Sequence, residues 1–187
     1  AKGIRTMSIS VVILAAGQGT RMKSTTPKVL HEISGKPMLF HAIDAARSIS
    51  NDVVVVLHHQ AERIEALVGE AYQGIRFHRQ DAQQFPGTGG AMKGVTTEHS
   101  RTLILNGDMP LITHASLKSL TGGDADINMS VIALENPSGY GRVVIENGKV
   151  AEIVEQKDCT PEQLEIQTVN AGIYAVNTSL LERYIPQ

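Results

Sequence analysis

The chain has 187 residues, of which 42% are hydrophobic and 19% are charged, and its formal net charge is −2. This composition is typical of a globular protein, and the length is sufficient for one sizeable core. Because there is no basic excess, a nucleic-acid partner and a membrane-surface partner are both disfavoured, and no apolar stretch is long enough to span a bilayer. A single cysteine, Cys159, cannot build a disulfide framework, which indicates a reducing, cytoplasmic location.

Up to about residue 125, short β-branched runs alternate with helical patterns. The β-branched runs predict strands at residues 9–14, 53–57, 75–78 and 102–105. Helical spacing of apolar residues predicts helices at residues 37–48, 60–70, 88–97 and 113–120. The run from Val53 to Val56 is apolar at every position, as is typical of a parallel strand covered on both faces. We therefore predict an α/β fold, with a mostly parallel sheet and helices on both faces.

After about residue 125 the pattern changes to strands in succession. These are predicted at residues 127–134, 142–146, 150–154 and 169–176, with a tight hairpin turn at Asn147-Gly148 and a final helical pattern at residues 179–184. We expect this half to add antiparallel strands to the sheet edge or to form a lobe over it. We interpret residues 1–6 as an extension foreign to the natural chain, and residues 7–187 as one domain that is incomplete at its carboxyl end.

The most informative motif is a glycine-rich turn directly after the first strand, Leu14-Ala15-Ala16-Gly17-Gln18-Gly19-Thr20-Arg21-Met22. Its two glycines allow the backbone to turn sharply and to present several N–H groups to one anion. Its two alanines leave room for a nucleotide close to the main chain. Arg21 can offer a forked donor to phosphate oxygens. The motif therefore suggests a phosphate-binding loop.

Two familiar phosphate-binding motifs do not fit this turn. A dinucleotide-binding fingerprint needs a third glycine where Met22 stands, and an acidic residue where the second strand ends in His58-His59. A Walker loop needs Gly-Lys-Ser/Thr after the second glycine, and that sequence is missing too. Two interpretations remain: a bare turn, or a loop that wraps around a nucleoside triphosphate in a different manner.

Two charged residues strengthen the triphosphate interpretation. Lys28 follows Pro27 on what we expect to be a short extended segment that returns to the glycine-rich turn, where its charge can meet a phosphate. Asp108 follows the strand at residues 102–105, so it should lie at the carboxyl edge of the sheet, where ligands bind in open α/β folds. Since Mg²⁺ prefers one or two carboxylates plus substrate phosphates, Asp108 is a candidate metal ligand. The alternatives are a solvated lysine and a simple turn at Asn106-Gly107-Asp108.

Other polar residues allow more than one interpretation. Thr88 begins a predicted helix, where its N–H and hydroxyl can meet a base edge or an anion, or can cap the helix. Glu155 and Asn170 border predicted strands, where paired polar groups can select a ligand by its hydroxyls or amide. We interpret His58 and His59 as structural or solvated rather than metal-binding, because adjacent residues at a strand end point in opposite directions.

A series of short blocks resembles the signature of sugar-nucleotide pyrophosphorylases. The blocks are residues 14–22 as given above, Pro27-Lys28, Gly35-Lys36-Pro37-Met38, Pro86-Gly87-Thr88-Gly89-Gly90-Ala91, Asn106-Gly107-Asp108-Met109-Pro110-Leu111, Gly139-Tyr140-Gly141-Arg142, Ile153-Val154-Glu155-Gln156-Lys157-Asp158 and Asn170-Ala171-Gly172. Many nucleotidyltransferases share the first block. The later blocks, in this order, resemble the first domain of bacterial enzymes that combine N-acetylglucosamine-1-phosphate uridylyltransferase with glucosamine-1-phosphate acetyltransferase. The resemblance covers nearly all of residues 7–187.

This resemblance implies a Rossmann-like nucleotidyltransferase fold and a reaction of UTP with N-acetylglucosamine 1-phosphate. The products are UDP-N-acetylglucosamine, a cell-wall precursor, and pyrophosphate. The resemblance also implies that Arg21 and Lys28 contact the phosphates and that Asp108 binds Mg²⁺. The other residues that it implies are Leu14, Ala15, Ala16, Gly17, Gly19, Gln80, Gly87 and Thr88 for the nucleotide, and Gly141, Glu155 and Asn170 for the sugar.

The sequence also departs from the pattern of these enzymes. A couple of extra residues precede Gly87, so Gln83 and Gln84 remain alternatives to Gln80 as the residue that reads the base. Asn106 and Ala171 stand where some relatives carry an aromatic residue and a threonine. We expect the second magnesium ligand, an asparagine, to lie beyond residue 187. We also expect a β-helix beyond residue 187, which in these enzymes catalyses acetyl transfer and forms most of the contacts of a homotrimer.

Other functions remain open at this point. The glycine-rich turn and Lys28 do not distinguish UTP from CTP, dTTP or GTP, so another sugar-1-phosphate nucleotidyltransferase is an alternative. A nucleotide-binding module with little turnover is a second alternative, from a different class. A dehydrogenase is the third, and NAD binding would test it.

Overall fold

A computed structural model describes residues 8–17, 25–108 and 125–185, with the backbone alone for Thr88 and Tyr184. The chain forms two compact units. The first comprises Ala1–Asn128 and Tyr174–Gln187, and the second comprises Met129–Ile173. None of the helices in the described ranges has the length and apolarity that crossing a bilayer requires.

The first unit contains strands that alternate with helices along the chain. In chain order they are β1 (Ile9–Leu14), β2 (Glu32–Ile33), β3 (Lys36–Pro37), α1 (Met38–Arg47), β4 (Asp52–Leu57), α2 (Ala61–Ala71), β5 (Arg76–Arg79), α3 (Gly87–Met92) and β6 (Arg101–Asn106). The second unit holds most of β7 (Ile127–Ala133), then β8 (Arg142–Glu146), β9 (Lys149–Val154), α4 (Pro161–Leu164) and the start of β10 (Thr168–Asn177). The last helix, α5 (Thr178–Tyr184), returns to the first unit.

The strand order in the first unit creates a crevice beside β1. The parallel strands follow the order β5-β4-β1-β6, and the end of β10 pairs antiparallel with β6. The chain therefore leaves β1 on one side, builds β4 and β5, and comes back to place β6 on the other side. Between β1 and β6 the direction of strand addition reverses, and in open α/β sheets ligands bind at such a point, outside the carboxyl ends of the strands.

The central strands are buried on both faces, as their continuous apolar runs predict. On one face Val12, Val54 and Ile104 form a buried cluster with Ala91 and Met92 of α3. The residues of β1 and β4 that point to the opposite face of the sheet are fully or almost fully buried too. Helix α1 contacts both of these strands. Since alternate residues of a strand point to opposite faces, α1 and α3 cover different sides of the sheet. The predicted α/β fold with a mostly parallel sheet is confirmed.

The predicted elements agree with the structure in most places. The bounds of β1 and β8 are those expected. Each end differs from the expected bound by no more than one residue in β4, β5, β6, β9, β10, α1, α2 and α5. The helix predicted at residues 88–97 is too long, because Lys93 is extended and Gly94 has a φ of +76°. The short hairpin of β2 and β3, which turns at Ser34 and Gly35, was not predicted, and neither was α4. The helix predicted at residues 113–120 lies outside the described residues.

The second unit is built on an antiparallel hairpin. Strands β8 and β9 pair from Arg142↔Val154 to Glu146↔Lys149, and both turn residues, Asn147 and Gly148, have positive φ. That conformation is the one the Asn-Gly pair predicts for a two-residue turn. Arg142 is only 3% exposed, and its guanidinium donates to the backbone carbonyls of Pro137, Tyr140 and Leu164. Arg142 therefore holds the loop that precedes β8.

A buried carboxylate joins the strands of the first unit at their amino-terminal edge. The Asp52 side chain is 2% exposed and accepts hydrogen bonds from Ser10 Oγ at 2.6 Å, Glu98 N at 2.8 Å and Arg76 Nη2 at 2.6 Å. Burial raises the pKa of this carboxyl, but the hydrogen bonds from Ser10, Glu98 and Arg76 together lower it more, so it lies below its ordinary value of 3.8. Asp52 thus ties β1, β4, β5 and the segment before β6 together.

Replacing Asp52 by alanine is expected to lower the free energy of unfolding by about 3 kcal/mol, because it leaves buried donors unpaired. Since the pKa of Asp52 is lowered in the folded state, its contribution is complete above pH 3.8 and is lost as the pH falls through the folded-state value. Urea unfolding at pH 7 and below pH 3.8 checks both points. Asp44→Ala is the control, because that carboxylate is 43% exposed and should contribute about 1 kcal/mol or less. Equal losses for the two variants would contradict this account.

Candidate active site

A cavity of about 490 Å³ lies at the carboxyl edge of the parallel strands in the first unit. Its walls come from the segments at the ends of β1, β4, β5 and β6, together with Lys28 and Val29, which follow Pro27. The lining residues are Leu14, Ala15, Ala16, Gly17, Lys28, Val29, His58, Gln80, Ala82, Pro86, Gly87, Ala91, Asn106 and Asp108. All of them belong to the first unit, and many are the residues that the sequence singles out.

The segment after β1 is fixed by backbone hydrogen bonds to both neighbouring strands. Ala15 donates its N–H to the Val56 carbonyl at 2.9 Å, and the Leu14 carbonyl accepts from Gly107 N–H at 2.9 Å. A Cβ added at Gly17 would meet no atom within 4 Å, so no neighbouring atom among the described residues requires glycine there. The missing side chain leaves open space on the cavity side, as expected for a site that receives a ligand close to the main chain.

Lys28 and Asp108 meet in this cavity. Lys28 Nζ lies 3.1 Å from Asp108 Oδ2, and the two side chains are 46% and 36% exposed. A half-exposed ion pair of this kind contributes little to folding, about 0–1 kcal/mol. The structure thus brings together the two charged residues that sequence analysis assigns to phosphate and metal binding, on the β6 side of β1.

The backbone around Lys28 differs from the prediction. We expected a short extended segment, but Lys28–Leu30 is a single turn of 3₁₀ helix, in which the Lys28 carbonyl accepts from His31 N–H at 3.0 Å. The reason is the burial of Val29 and Leu30, each only 7% exposed. Consecutive residues of an extended segment point in opposite directions, whereas a turn lets both apolar side chains reach the core. The extended conformation ends at Pro27, and Lys28 faces the cavity from the turn.

Asp108 is positioned by the close packing of the residue before it. A Cβ at Gly107 would lie 3.1 Å from Leu39 Cδ1 of α1 and 3.4 Å from the Leu14 carbonyl oxygen. Gly107 therefore allows β6 to end tightly against β1 and α1, and Asp108 then leaves the sheet beside Lys28. Asn106 is the last residue of β6, and Gly107 and Asp108 form a turn that brings the carboxylate into the cavity.

Gln80 lies on the opposite side of β1, after β5. Its backbone N–H donates to the Leu57 carbonyl at 2.8 Å, and its side-chain amide donates to the carbonyls of Phe85 at 2.9 Å and Gly87 at 3.2 Å. Gln80 therefore both lines the cavity and holds the loop before α3. Gln83 and Gln84, the alternatives that the sequence left open, do not line this cavity.

Three of the predicted nucleotide and phosphate residues lie, entirely or with their side chains, outside the part of the chain that the structure describes. Gly19 and Arg21 lie in residues 18–24, outside the described residues. Thr88 is the second residue of α3, and the residue that caps this helix is Pro86. The interpretation of Thr88 as a helix N-cap is therefore wrong, because the helix begins one residue earlier, at Gly87, than the apolar pattern predicts.

The three predicted sugar residues lie in the second unit. A Cβ at Gly141 would lie 3.6 Å from Glu155 Oε1, so these two residues are neighbours. Asn170 follows Val169, which pairs antiparallel with Arg142, the residue after Gly141. This register places Asn170 beside Gly141 on adjacent strands. The Asn170 side chain accepts a hydrogen bond from Gly172 N–H at 2.7 Å. Within this unit the three residues thus form one group.

The donor set of the cavity fits a magnesium ion held together with a ligand. In the described part of the chain no group of three or more His, Cys, Asp or Glu side chains could hold a metal alone. Mg²⁺, however, commonly binds through one or two carboxylates plus substrate phosphates and water. Asp108, a partly exposed carboxylate in the cavity wall, supplies the hard oxygen donor that such a site needs.

Several residues of the cavity wall were not predicted from the sequence to belong to a binding site. His58, which we interpreted as structural or solvated, is exposed and lines the cavity, whereas His59 does not line it. Asn106 and Pro86 also line it, although neither was given a role. The available signal was position: His58, Gln80 and Asn106 each stand at the carboxyl end of a parallel strand, β4, β5 and β6 respectively. Such residues share one edge of the sheet.

These features define a class of protein. A three-layer α/β unit has a crevice beside its first strand, and Gly17, Lys28 and Asp108 line that crevice. This is the architecture of Rossmann-like proteins, in which a ligand binds at the point where the strand order reverses.

Comparisons with known proteins make the class specific. The chain belongs to the MobA-like NTP transferase domain family, whose model matches residues 11–165, and it is therefore a nucleotidyltransferase domain, as predicted. Over 180 residues it is 76% identical to the bifunctional protein GlmU of Sulfurovum sp. (strain NBC37-1). The match covers 96% of this chain and 42% of that protein. The chain thus spans about two fifths of the length of that relative.

Solved structures agree with the fold. HddC from Yersinia pseudotuberculosis, complexed with GMP-PN, is 26% identical with a TM-score of 0.72, and the match covers 95% of this chain and 80% of that chain. The inositol-1-phosphate CTP transferase from T. maritima is 17% identical with a TM-score of 0.75, and the match covers 96% of this chain and 74% of that chain. At that identity the second likeness shows the fold alone, and it confirms the predicted Rossmann-like fold.

The loop before α3 offers a stability test with a matched control. A Cβ at Gly90 would overlap the backbone carbonyl of Phe85, whereas a Cβ at Gly89 would meet no described atom within 4 Å. Gly90→Ala is expected to lower the free energy of unfolding by about 1–3 kcal/mol, because the loop must move. Gly89→Ala should be neutral or stabilising by up to about 1 kcal/mol. Denaturant unfolding checks the pair, and equal effects would show that the contact with Phe85 is unimportant.

Proposed function

We propose that this domain transfers UMP from UTP to N-acetylglucosamine 1-phosphate in a Mg²⁺-dependent reaction, with UDP-N-acetylglucosamine and pyrophosphate as products. The observation that carries the proposal is the convergence of Lys28 and Asp108 in one cavity that Gly17 also lines. The high identity to a protein called bifunctional GlmU supports the choice of reaction, as do the sequence blocks that resemble uridylyltransferases. We place the reaction in the cytoplasm, in keeping with a single cysteine that is free.

The chemistry of this reaction suits the charges in the cavity. An oxygen of the sugar phosphate attacks the α-phosphorus of UTP, and the bond to the β-phosphate oxygen breaks to release pyrophosphate. The attacking oxygen is already anionic at neutral pH, so little help from a general base is required. The difficulty is to bring two polyanions together in line, so that positioning and charge neutralisation carry the catalysis. Lys28 supplies a positive charge where the triphosphate would lie.

Asp108 would hold the metal in this proposal. A magnesium ion held there would supply positive charge that offsets the negative charge of the phosphates. The side chain of Asp108 has space for such a ligand, because 36% of it is exposed to the cavity. Its contact with Lys28 would be exchanged for the metal, and Lys28 would then turn to phosphate oxygens. We also propose Arg21 and Gly19 as phosphate and nucleotide residues, on the strength of the sequence resemblance.

The base and ribose would occupy the other side of the cavity. There the described wall includes the uncharged residues Ala15, Ala16, Gln80 and Gly87. The amide group of Gln80 is held by two loop carbonyls, so its orientation is set before a ligand arrives. We propose Leu14, Ala15, Ala16, Gly17, Gln80, Gly87 and Thr88 as the nucleotide residues.

The sugar would be recognised by the group of residues in the second unit. Glu155 and Asn170 carry acceptors and donors for hydroxyl and acetamido groups, and Gly141 leaves space beside Glu155. Polar groups that must be paired select strongly against ligands that lack the matching group. We therefore propose Gly141, Glu155 and Asn170 as residues that select N-acetylglucosamine 1-phosphate.

A second candidate is a nucleotidyltransferase that uses another base. The likeness to HddC, whose structure is complexed with GMP-PN, favours keeping this alternative. Under the main proposal we expect the protein to bind UTP more tightly than CTP, GTP or dTTP.

Isothermal titration with the four nucleotides, each in the presence of Mg²⁺, distinguishes the candidates. Pyrophosphate release with N-acetylglucosamine 1-phosphate then tests turnover. A preference for any nucleotide other than UTP would overturn the choice of base. Tight UTP binding without pyrophosphate release would favour a nucleotide-binding module instead of an enzyme.

A further inference from the structure

We infer that His58 binds the nucleoside part of the nucleotide, that is, its base or ribose, rather than the phosphates. This inference rests on the proposed function, because it assigns a further residue to the same cavity. The sequence blocks that resemble known enzymes do not include His58, and its position among the lining residues is the starting observation.

The backbone places His58 between two nucleotide-binding segments. The two residues before it, Val56 and Leu57, accept backbone hydrogen bonds from Ala15 at 2.9 Å and from Gln80 at 2.8 Å. Because these bonds join the end of β4 to the segments after β1 and β5, the next residue of the chain lies at the same edge between them. Any ligand that contacts both Ala15 and Gln80 must therefore pass close to His58.

Among the residues that the structure describes, the charged ones in the cavity wall lie away from this position. Lys28 and Asp108 lie on the β6 side of β1, whereas His58 follows β4, on the other side. A triphosphate with its metal is drawn to the charged side, because cations and a metal ligand meet phosphates there. The described residues around Gln80 are uncharged, so this side of the cavity suits the nucleoside. His58 consequently faces the uncharged part of the ligand.

His58 is also free to bind a ligand. His31 and His41 use Nε2 to contact the carbonyls of Thr26 at 3.1 Å and Ile33 at 2.8 Å, and His99 Nε2 contacts Asn51 Oδ1 at 2.9 Å. His58, by contrast, is exposed and has no hydrogen-bond or ion-pair partner among the residues that the structure describes. A neutral imidazole offers one donor and one acceptor, which suits ribose hydroxyls or the carbonyl and N–H groups of a pyrimidine.

The test compares His58→Ala with His59→Ala, its neighbour outside the cavity wall, using three probes. The probes are UTP with Mg²⁺, UMP, and inorganic tripolyphosphate with Mg²⁺, each titrated by calorimetry. For His58→Ala we expect the Kd of UTP and of UMP to rise by the same factor, about three- to tenfold, as for the loss of one hydrogen bond. The Kd of tripolyphosphate should not change, and His59→Ala should bind all three probes as the original protein does.

Two results would overturn the inference. Unchanged UTP and UMP affinities in His58→Ala would remove His58 from the site, and an equal loss of tripolyphosphate affinity would assign it to the phosphates. Thermal unfolding of both variants shows whether the fold is retained, and an exposed histidine is expected to be replaceable without loss. Failure of the original protein to bind any nucleotide would contradict the proposed function itself, and is therefore distinguishable from a failure of this inference.

Discussion

Replacing Asp108 by alanine is expected to abolish Mg²⁺-dependent release of pyrophosphate from UTP and N-acetylglucosamine 1-phosphate. The loss in kcat should be about a thousandfold or more, because a metal that neutralises phosphate charge supplies several kcal/mol. Asp108→Asn, which keeps the shape of the side chain and removes its charge, should lose nearly as much. Glu62→Ala is the control, since that exposed acid on α2 pairs with Arg79 and does not line the cavity.

Asp108→Ala should affect UTP binding in opposite directions with and without metal. Asp108 lies 3.1 Å from Lys28, so its removal takes an anion away from the cavity and frees the lysine. In EDTA, Asp108→Ala is therefore expected to bind UTP at least as tightly as the original protein, whereas with Mg²⁺ it binds more weakly. Calorimetric titration under both conditions measures this change of sign. Equal weakening with and without metal would mean that Asp108 has a structural role only.

Replacing Lys28 by alanine is expected to cost about 3 kcal/mol of transition-state stabilisation, which is a loss of roughly 10²–10³ in kcat/KM. The reason is the removal of the point charge that meets the triphosphate. The melting temperature should hardly change, because a half-exposed ion pair contributes about 0–1 kcal/mol to folding. Steady-state kinetics together with thermal unfolding separates the two effects.

Lys36 provides a matched control for Lys28. It also forms a half-exposed ion pair, with Asp44 at 2.5 Å, but it lies away from the cavity wall. Lys36→Ala should therefore affect stability about as little as Lys28→Ala and leave kcat/KM unchanged. If the two variants lost activity equally, or if Lys28→Ala retained full activity, Lys28 would have no part in catalysis.

Much of the first unit is predictable from sequence, because its strands carry a strong signal. Val53 to Val56 is apolar at every position, and this run is buried on both faces. The meeting of Lys28 and Asp108 also follows from sequence in outline. The carboxyl ends of parallel strands share one edge, and Asp108 comes two residues after β6 ends. The turn at Asn147 and Gly148 is local, so the Asn-Gly pair predicts it without further context.

Other features depend on tertiary contacts that no local pattern contains. Val29 and Leu30 are compatible with an extended segment or a turn, and their joint burial decides for the turn. The apolar spacing that predicts a helix to residue 97 continues through Val95, but Gly94 takes a positive φ and the helix ends at Met92. The position of His58 just past the end of β4 indicates the carboxyl edge of the sheet. Strand alternation does not set the direction of its side chain, however, so the structure was needed to show that it lines the cavity.

The most direct test is a crystal structure with Mn²⁺ in place of Mg²⁺ and a non-hydrolysable UTP analogue. Anomalous scattering locates the manganese independently of the nucleotide. We expect the ion on the Asp108 carboxylate, the phosphates within hydrogen-bonding distance of Lys28 Nζ, and the uracil beside Gln80. A manganese ion bound away from Asp108, or a nucleotide outside the cavity at the carboxyl edge of β1, would contradict the account.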